Sequence, residues 1–388
     1  RWLKYSGFLK DYAYYWLKGG GDTHSYSFPV AHAIYQYCQI TGNYQLLKEL
    51  YPELLQNYSE WKKKKFIAEK GLFWQKDGED GMEVSIGGHG FRVTINSYMA
   101  AEAATLSKIA HWKNDNQAQA LETEACRIKE NMFKYLWDPK AEFLKVLSVE
   151  KNASLKDVRE LHGYTPWAFD LASADYAVAW KFLMNTRHFL APYGPTTAEQ
   201  CHPQFKVAYE GHECQWNGPS WPYATSMTLV GLANLLNNQT QSFVDSRDFI
   251  TLFSIYARSL YKKDANGILT PWIDENLNPF TGDWISTRHQ KPEERGKDYN
   301  HSLFCDLVIN GLIGIRPSEE EELDVNPLIP EGYWDYFCLD NLTYRGKTIC
   351  VLYDKTGDKY KRGAGLSIFI NGTKTAISPT LTKISCKL

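Results

Sequence analysis

Carboxylates on two separate loops are the side chains of this sequence best suited to acid/base chemistry. Four of them stand between glycines at positions 74–90, namely Asp77, Glu79, Asp80 and Glu83. Asp274 and Glu275 stand among aromatic residues at positions 269–284. Glycoside hydrolysis needs two such acids, because one protonates the leaving oxygen while the other activates water or attacks the sugar. Spacing alone does not say which pair is used.

Tryptophans between the two acidic loops predict a surface on which a sugar ring can stack. Aromatic residues make up 14% of the chain. Trp216 and Trp221 flank Gly218 and Pro219, and two indoles this close on one loop are expected to be hard to bury together. An indole offers a flat apolar face to a pyranose ring. The alternative is a hydrophobic clamp beneath the loop.

No metal and no cofactor are predicted. The acidic loop at 74–90 could bind calcium, but its spacing does not fit the twelve-residue frame of an EF-hand. The eight cysteines are scattered without a CxxC motif, so we expect them to be thiols. The group Cys201, His202, His212 and Cys214 has the spacing C-H-x9-H-x-C, which matches no usual zinc-ligand pair.

The charge balance argues against a nucleic acid or an anionic membrane as the main partner. The chain has 43 Lys and Arg against 45 Asp and Glu, a net charge of −2, over 388 residues. No run approaches the roughly 18 apolar residues of a membrane span. The chain begins with Arg1 and has no recognisable signal peptide, so we expect a processed protein or an excised fragment.

Apolar periodicity predicts helices joined in pairs over most of the chain up to about residue 316. Short breaks such as Gly42-Asn43 alternate with long connections rich in Gly, Pro and Trp, and long loops of this kind usually carry function. The predicted helices cover positions 29–41, 44–65, 94–112, 117–136, 173–185, 220–236, 247–262 and 300–313.

The pattern changes after Arg316 and Pro317. The apolar period becomes two, which predicts antiparallel strands at 348–354 and 366–372. We therefore expect a helical domain at 1–317 and a small β domain at 323–388. Paired helices in this number favour an α/α toroid, and no fixed repeat period supports the alternative of a solenoid.

Six segments together resemble the six-hairpin glycosidases. The closest resemblance is to the mannosylglycerate hydrolase-like and glycoside hydrolase family 63 group, which is related to trehalases. It covers about residues 20–316, and the motifs follow the order of the family. They are DGMEVSIGG (80–88) with INSYM (95–99), RELHGYTPW (159–167), APYGPTTAEQ (191–200), QWNGPSWPYAT (215–225) and IDENLNPFTGDW (273–284).

This resemblance implies an all-α (α/α)6 toroid, a small C-terminal antiparallel β cap, and an exo-acting glycosidase with an inverting mechanism on an α-linked oligosaccharide or glycoside. Gly81-Met82-Glu83 matches the G-M-D of the family, which makes Glu83 the general acid. Glu275 matches the glutamate of E-x-x-N-P-x-T-G, which makes it the general base. The remaining residues expected to contact sugar are Trp74, Asp80, Arg159, Glu160, Trp216, Trp221, Trp272, Tyr299 and His301.

The sequence also departs from the family pattern. The acid is Glu instead of Asp, and Val-Ser-Ile-Gly replaces the usual N-S-P-R after it. The identity of the sugar therefore remains open, and Asp80 is a rival for the acid role. Few residues precede Tyr14, so the first hairpin is expected to be short or to lie on a missing N-terminal part. The resemblance further suggests a bacterial protein of the periplasm or the cell exterior.

Three other functions remain open. A polysaccharide lyase on the same toroid would use Tyr299 and His301 to abstract a proton beside a uronate. A glycoside phosphorylase would not need the base at Glu275. A carbohydrate-binding protein would keep the aromatic residues but has no use for Glu83 and Glu275 together.

Overall fold

A computed structural model describes residues 26–150, 153–208, 214–286 and 302–388. These residues form a helical part followed by a small antiparallel β part, as the sequence predicts. No helix in these four ranges is long and apolar enough to cross a bilayer.

In the helical part consecutive helices pack against each other, and most helix ends lie within about three residues of the predicted ones. Gly42 separates the first two helices; its φ of 76° is left-handed, and its N–H donates to the carbonyl of Cys38. The helices are α1 (Val30–Thr41), α2 (Tyr44–Lys65), α3 (Val93–Lys113), α4 (Ala118–Leu136), α5 (Thr165–Ala168), α6 (Pro222–Asn238), α7 (Ser246–Ser259) and α8 (Ser302–Asp306).

Short hairpins follow three of these helices. Each pairs two or three residues on either side, and the first leads into the acidic loop at 74–90. Their strands are β1 (Phe66–Ile67) with β2 (Leu72–Phe73), β3 (Trp137–Asp138) with β4 (Phe143–Leu144), and β5 (Tyr261–Lys263) with β6 (Leu269–Pro271).

Helix α3 lies in the middle of this part. Most of its residues are buried on every side, and it packs against α1, α2, α4 and α5. A helix without an exposed polar face is stable only when other elements surround it. The acidic loop at 74–90 leads directly into the first turn of α3, so this loop is attached to a deeply buried element of the fold.

The segment predicted as a helix at 173–185 differs in type. The structure has a 3-10 helix over Ala174–Phe182. The buried side chains along it include Ala177, Trp180 and Leu183, which follow each other at intervals of three. A 3-10 helix has three residues per turn, so this spacing places all three on one face.

The β part contains seven strands in the described range 315–387. They are β7 (Ile315–Arg316), β8 (Glu322–Val325), β9 (Tyr336–Tyr344), β10 (Lys347–Asp354), β11 (Gly365–Ile370), β12 (Thr373–Ser378) and β13 (Ile384–Lys387). One sheet has the order β12-β11-β10-β9 and the other the order β13-β8-β7. The strands predicted at 348–354 and 366–372 correspond to β10 and β11. Strand β7 lies inside the range expected for the helical domain; the boundary itself stays a prediction.

Arg345, in the turn between β9 and β10, attaches the β part to α1. Its backbone N–H donates to the carbonyl of Ile40 at 2.8 Å, and its Nε donates to the carbonyl of Gln39 at 3.0 Å. These carbonyls belong to the last turn of α1, where a helix leaves acceptors unsatisfied. Direct hydrogen bonds therefore hold the β part against the C-terminal end of α1.

Candidate active site

The segment at 214–222 connects the two acidic loops. The N–H of Trp216 donates to the carbonyl of Glu83 at 3.1 Å. Ser220 exchanges two backbone hydrogen bonds with Leu277, of 3.0 and 2.9 Å, shortly after Glu275 in the chain. The acidic loops at 74–90 and 269–284 are far apart in sequence, and both form hydrogen bonds with this short segment.

Glu83 lies on a tightly folded turn. The preceding residue, Met82, is buried and its N–H donates to the carbonyl of Asp77 at 2.9 Å. Gly81 has a φ of 72°, and Val84 has a φ of 62°. A β-branched residue at such a φ is a genuine outlier, and strained residues of this kind cluster at functional sites. Glu83 itself is partly exposed, although Oε2 of its carboxyl group is buried.

Asp80, the rival for the acid role, is held by an ion pair and hydrogen bonds. Its side chain is fully buried, and Oδ2 accepts from Arg92 Nε at 2.7 Å, from Gln75 Nε2 at 2.9 Å and from the hydroxyl of Thr94. Three donors, one of them a buried guanidinium, thus bind this oxygen of Asp80. The contacts of Asp80 are those of a residue that holds the loop in place, and Glu83 is the better candidate for the acid.

The other two acids of this loop also have partners. Oε1 of Glu79 pairs with Nζ of Lys65 at 2.7 Å. Oδ1 of Asp77 lies 3.1 Å from Nδ1 of His89 and accepts from the N–H of Gly78 at 2.9 Å. Both side chains therefore serve the local shape of the loop.

Glu275 is partly exposed and follows a fully buried carboxylate. Oδ1 of Asp274 accepts from the N–H of Glu275 at 2.8 Å and from the hydroxyl of Ser286 at 2.9 Å. These bonds fix the backbone at Glu275, from which its side chain extends. Its Oε2 lies 3.8 Å from Sγ of Cys214.

Cys214 and Trp216 bring the two candidate catalytic residues to one place. Cys214 contacts the carboxylate of Glu275, and Trp216 bonds to the backbone of Glu83. Their Cα atoms are two residues apart and hence separated by at most about 7 Å. The two glutamates therefore lie beside the same segment, as an acid and a base acting on one bond must.

Trp216 and Trp221 are both buried, at 5% and 1% exposed, so the expectation that they are hard to bury together is wrong. The rings stack on each other, with centroids 4.5 Å apart and planes 19° apart. The indole N–H of Trp221 donates to the carbonyl of Gln215 at 2.8 Å, which satisfies its one polar atom. The sugar contact of this pair stays a prediction, and its packing is that of the clamp considered as the alternative.

Trp74 and Trp272 are partly exposed and hence better placed to stack on a ligand. Nζ of Lys65 lies 4.9 Å from the ring centre of Trp74, and Nζ of Lys262 lies 4.3 Å from the ring centre of Trp272. An ammonium group over an indole is attracted to the electron-rich face and so helps to orient the ring. The sugar contact of these two rings stays a prediction.

Glu160 is buried at 4% side-chain exposure, and its contacts are internal. Oε1 accepts from the N–H of Gly87 at 3.1 Å, and Oε2 lies 3.0 Å from Nε2 of His162. Burial would raise the pKa of Glu160, but the hydrogen bond from His162, the charge of Arg92 and the hydrogen bond from the N–H of Gly87 hold it below its usual value. Glu160 is thus ionised and orients His162. His162 lies in the same motif, at 159–167, but was not among the residues predicted from the sequence.

Arg159 makes internal contacts as well. Nη1 pairs with Oε2 of Glu199 at 2.7 Å, Nε and Nη2 donate to the carbonyl of Ala141, and the guanidinium lies 4.2 Å from the ring centre of Phe182. The expected contact of Arg159 with sugar stays a prediction. The other two residues expected to bind sugar, Tyr299 and His301, lie outside the described residues.

Within the described residues, His188, Glu199 and Cys201 bring their ligating atoms within 4.8 Å of one another. Arg159 already occupies both oxygens of Glu199, one through its backbone N–H at 2.9 Å and one through its side chain. A cation that bound Glu199 would have to displace a guanidinium. This group is therefore an ion-paired cluster. The sequence group Cys201, His202, His212 and Cys214 has only Cys201 in common with this cluster. His212 lies outside the described residues.

Comparison with known proteins gives two family matches. Residues 1–302 match the mannosylglycerate hydrolase MGH1-like glycoside hydrolase domain, and residues 315–377 match the C-terminal domain of glycosyl hydrolase family 65. The first match covers the helical part and the second covers most of the β part.

Solved structures and one curated protein are also similar. A structure named "Sialidase" superposes with a TM-score of 0.91 at 36% identity, over 98% of this chain and 35% of that one. The GH63 mannosylglycerate hydrolase from Thermus thermophilus in complex with glucose superposes with a TM-score of 0.52 at 15% identity, over 74% of this chain and 75% of that one. An uncharacterized protein of Borreliella burgdorferi is 25% identical over 210 residues, 53% of this chain and 43% of that protein.

Two of these relatives are much longer than the matched region. The chain spans 35% of the sialidase-named structure and 43% of the Borreliella protein. At 15% identity, the likeness to the Thermus enzyme concerns the fold alone. The family model, in contrast, covers well over half of the chain, so the chain belongs to the mannosylglycerate hydrolase MGH1-like glycoside hydrolase family.

Proposed function

We propose that this protein is an inverting glycosidase in which Glu83 is the general acid and Glu275 the general base. The observation that carries the proposal is the segment at 214–222, which contacts both residues. It bonds to the backbone of Glu83 through Trp216, and it touches the carboxylate of Glu275 through Cys214. Two partly exposed glutamates on different loops of a glycoside hydrolase domain supply the two carboxyl groups that this chemistry needs.

The chemistry follows from the two positions. Glu83 gives its proton to the glycosidic oxygen as the bond to the anomeric carbon breaks. Glu275 takes a proton from a water molecule, whose oxygen attacks the anomeric carbon from the opposite face. The products are a free alcohol and a sugar of inverted configuration, and proton exchange with solvent returns both carboxyl groups to their starting states. An inverting pair leaves room for this water at a separation of about 6.5–9.5 Å.

The finer features belong to the same proposal. An (α/α)6 toroid is supported by the packing of consecutive helices on each other, by the almost fully buried α3, and by the fold-level likeness to the Thermus enzyme. Exo action on an α-linked oligosaccharide or glycoside rests on the family resemblance. The sugar itself is open, because the residues after Glu83 depart from the family pattern.

A panel of aryl α- and β-glycosides and small disaccharides tests the activity. We expect hydrolysis of at least one α-linked member, with the first-formed sugar in the opposite anomeric configuration when proton NMR follows it before mutarotation. Retention of configuration would reject the roles given to Glu83 and Glu275. A wild-type protein inactive on the whole panel would reject the glycosidase.

Two rival activities have their own readouts in that panel. Turnover that requires inorganic phosphate and releases a sugar phosphate would identify a phosphorylase. Absorbing unsaturated uronate products would identify a lyase that uses Tyr299 and His301. The ionised Glu160 and the paired Asp80 are engaged inside the fold, whereas Glu83 and Glu275 are partly exposed, and this difference favours hydrolysis.

A further inference from the structure

A small cavity lies beside Met82, the chain neighbour of Glu83. Its wall is formed by α3, α6 and the turn at 161–165. Most of this wall is apolar or already hydrogen-bonded. Three side chains of this wall carry polar atoms that the proposed catalytic steps do not use, and they are His162, Tyr98 and Tyr223.

His162 contributes a hydrogen-bond acceptor. Its Nε2 lies 3.0 Å from the ionised Glu160, so Nε2 carries the hydrogen and donates it. In the neutral imidazole Nδ1 is then a lone-pair acceptor. This nitrogen is buried and has no hydrogen-bond partner among the described residues. An unmet acceptor at such depth costs free energy unless a donor reaches it.

Tyr98 and Tyr223 contribute a donor. Their hydroxyl oxygens lie 3.0 Å apart, so one hydroxyl donates to the other. The pair carries two protons and this bond uses one of them; for the second, the described part of the chain shows no acceptor. Burial raises the pKa of both tyrosines, and the charge of Asp80 adds to this, so both hydroxyls keep their protons.

One acceptor and one donor around a small cavity match the needs of a single hydroxyl group. A hydroxyl can donate to Nδ1 of His162 and accept from the tyrosine pair at the same time. An ordered water could form the same two bonds, so the cavity suits either a water or a ligand hydroxyl that replaces it. Its position beside Met82 places it one residue from the proposed acid.

We propose that this cavity receives one hydroxyl or hydroxymethyl group of the sugar whose bond is cleaved, with His162 as the acceptor that selects for it. The inference rests on the proposed function and adds a specificity-determining residue to it. A sugar that lacks the hydroxyl at that carbon leaves Nδ1 and the tyrosine proton unpaired. Such sites reject the deoxy analogue more strongly than apolar pockets reject an extra group.

The test compares His162→Gln and Tyr223→Phe with the wild-type protein on p-nitrophenyl glycosides and their monodeoxy analogues. A glutamine amide can keep the bond that Nε2 makes to Glu160 while removing Nδ1, and phenylalanine keeps the ring of Tyr223. We expect kcat/KM on the preferred glycoside to fall about tenfold in each variant, mostly through KM, which is the size of one lost neutral hydrogen bond. On the analogue lacking the bound hydroxyl, variants and wild type should agree within about twofold.

Tyr164→Phe is the matched control, because the hydroxyl of Tyr164 is also buried but donates to the carbonyl of Ala179. It should lower the melting temperature without the substrate dependence. If the His162 and Tyr223 variants keep wild-type kcat/KM on every active substrate, or lose the same factor on all analogues, the cavity binds no sugar hydroxyl. A wild-type protein inactive on the whole panel would reject the proposed function first, and this pocket with it.

Discussion

The backbone N–H of Trp216 donates a 3.1 Å hydrogen bond to the carbonyl oxygen of Glu83. This bond joins the turn of the proposed acid to the segment that also contacts Glu275. Because it involves backbone atoms on both sides, it does not engage the carboxyl group of Glu83. Together with the two backbone hydrogen bonds between Ser220 and Leu277, it sets the relative position of the two acidic loops through main-chain atoms.

Replacing Glu83 by glutamine should make the rate depend on the leaving group. Without a proton donor, turnover of a substrate with a poor leaving group should fall about 10²–10⁴-fold, the usual contribution of general acid catalysis. A dinitrophenyl leaving group needs no proton, so the loss should be much smaller there. Steady-state kinetics on both substrates measure the difference, and equal losses would remove Glu83 from the acid role.

Replacing Glu275 by glutamine should instead lower turnover on both kinds of substrate. The attacking water needs its base whichever group leaves, so a loss of about 10²–10⁴-fold is expected even on dinitrophenyl glycosides. The same kinetic comparison checks this. A Glu275→Gln protein with near-normal turnover, or with the leaving-group dependence expected for Glu83→Gln, would contradict the assignment of the base.

Asp80→Asn should act mainly on stability. The change leaves the guanidinium of Arg92 buried without its charged partner, and breaking a buried ion pair from one side costs about 3–5 kcal/mol of unfolding free energy. Urea unfolding measures this loss. Glu122→Gln is the control, because that side chain is exposed and its change should leave the midpoint nearly unaltered. If Asp80→Asn unfolds like the wild type and loses activity with the leaving-group dependence described above, Asp80 is the acid.

Trp221→Ala and Trp74→Ala should behave differently. Trp221 is 1% exposed and stacked on Trp216, so its truncation should destabilise the fold by about 3–5 kcal/mol. Trp74 is partly exposed, and its truncation should raise KM with a small change in melting temperature. Thermal unfolding together with KM separates the two. A Trp221→Ala protein of normal stability and raised KM would make Trp221 a sugar contact.

Glu102→Gln should change how stability depends on pH. Burial raises the pKa of Glu102 from 4.5 to about 8, although its carboxylate accepts from the N–H of His32 at 3.0 Å. A folded-state pKa above the unfolded one means that the stabilising contribution of the protonated form is complete below about 4.5 and lost as pH rises towards 8.

Glutamine cannot ionise, so the variant should gain stability relative to the wild type as pH rises from 4.5 to 8, with a constant difference above that. Unfolding at several pH values measures this difference. Glu122→Gln, at an exposed position, is the control. A gap between Glu102→Gln and wild type that does not change over this range would show that Glu102 is ionised in the folded protein.

Residue types and local order were enough to predict the helix pairs, the β part and the loops that carry Glu83 and Glu275. The apolar periods of helices and strands are local, so a short stretch of sequence is enough to recognise them. The order of the motifs relates the chain to its family. For the same reason the sequence could name Asp80, Arg159, Glu160 and Trp221 as candidates, because each has a type that sugar-binding sites use.

Tertiary structure decided what these candidates contact. Asp80 is bound by Arg92 twelve residues away, and Arg159 is bound by Glu199 forty residues away. Trp221 is buried by its stacking on Trp216, and His162, whose Nε2 pairs with Glu160, lines a cavity together with residues of α3 and α6. Burial and ion pairing depend on which distant segments meet in space, and no local spacing contains that information.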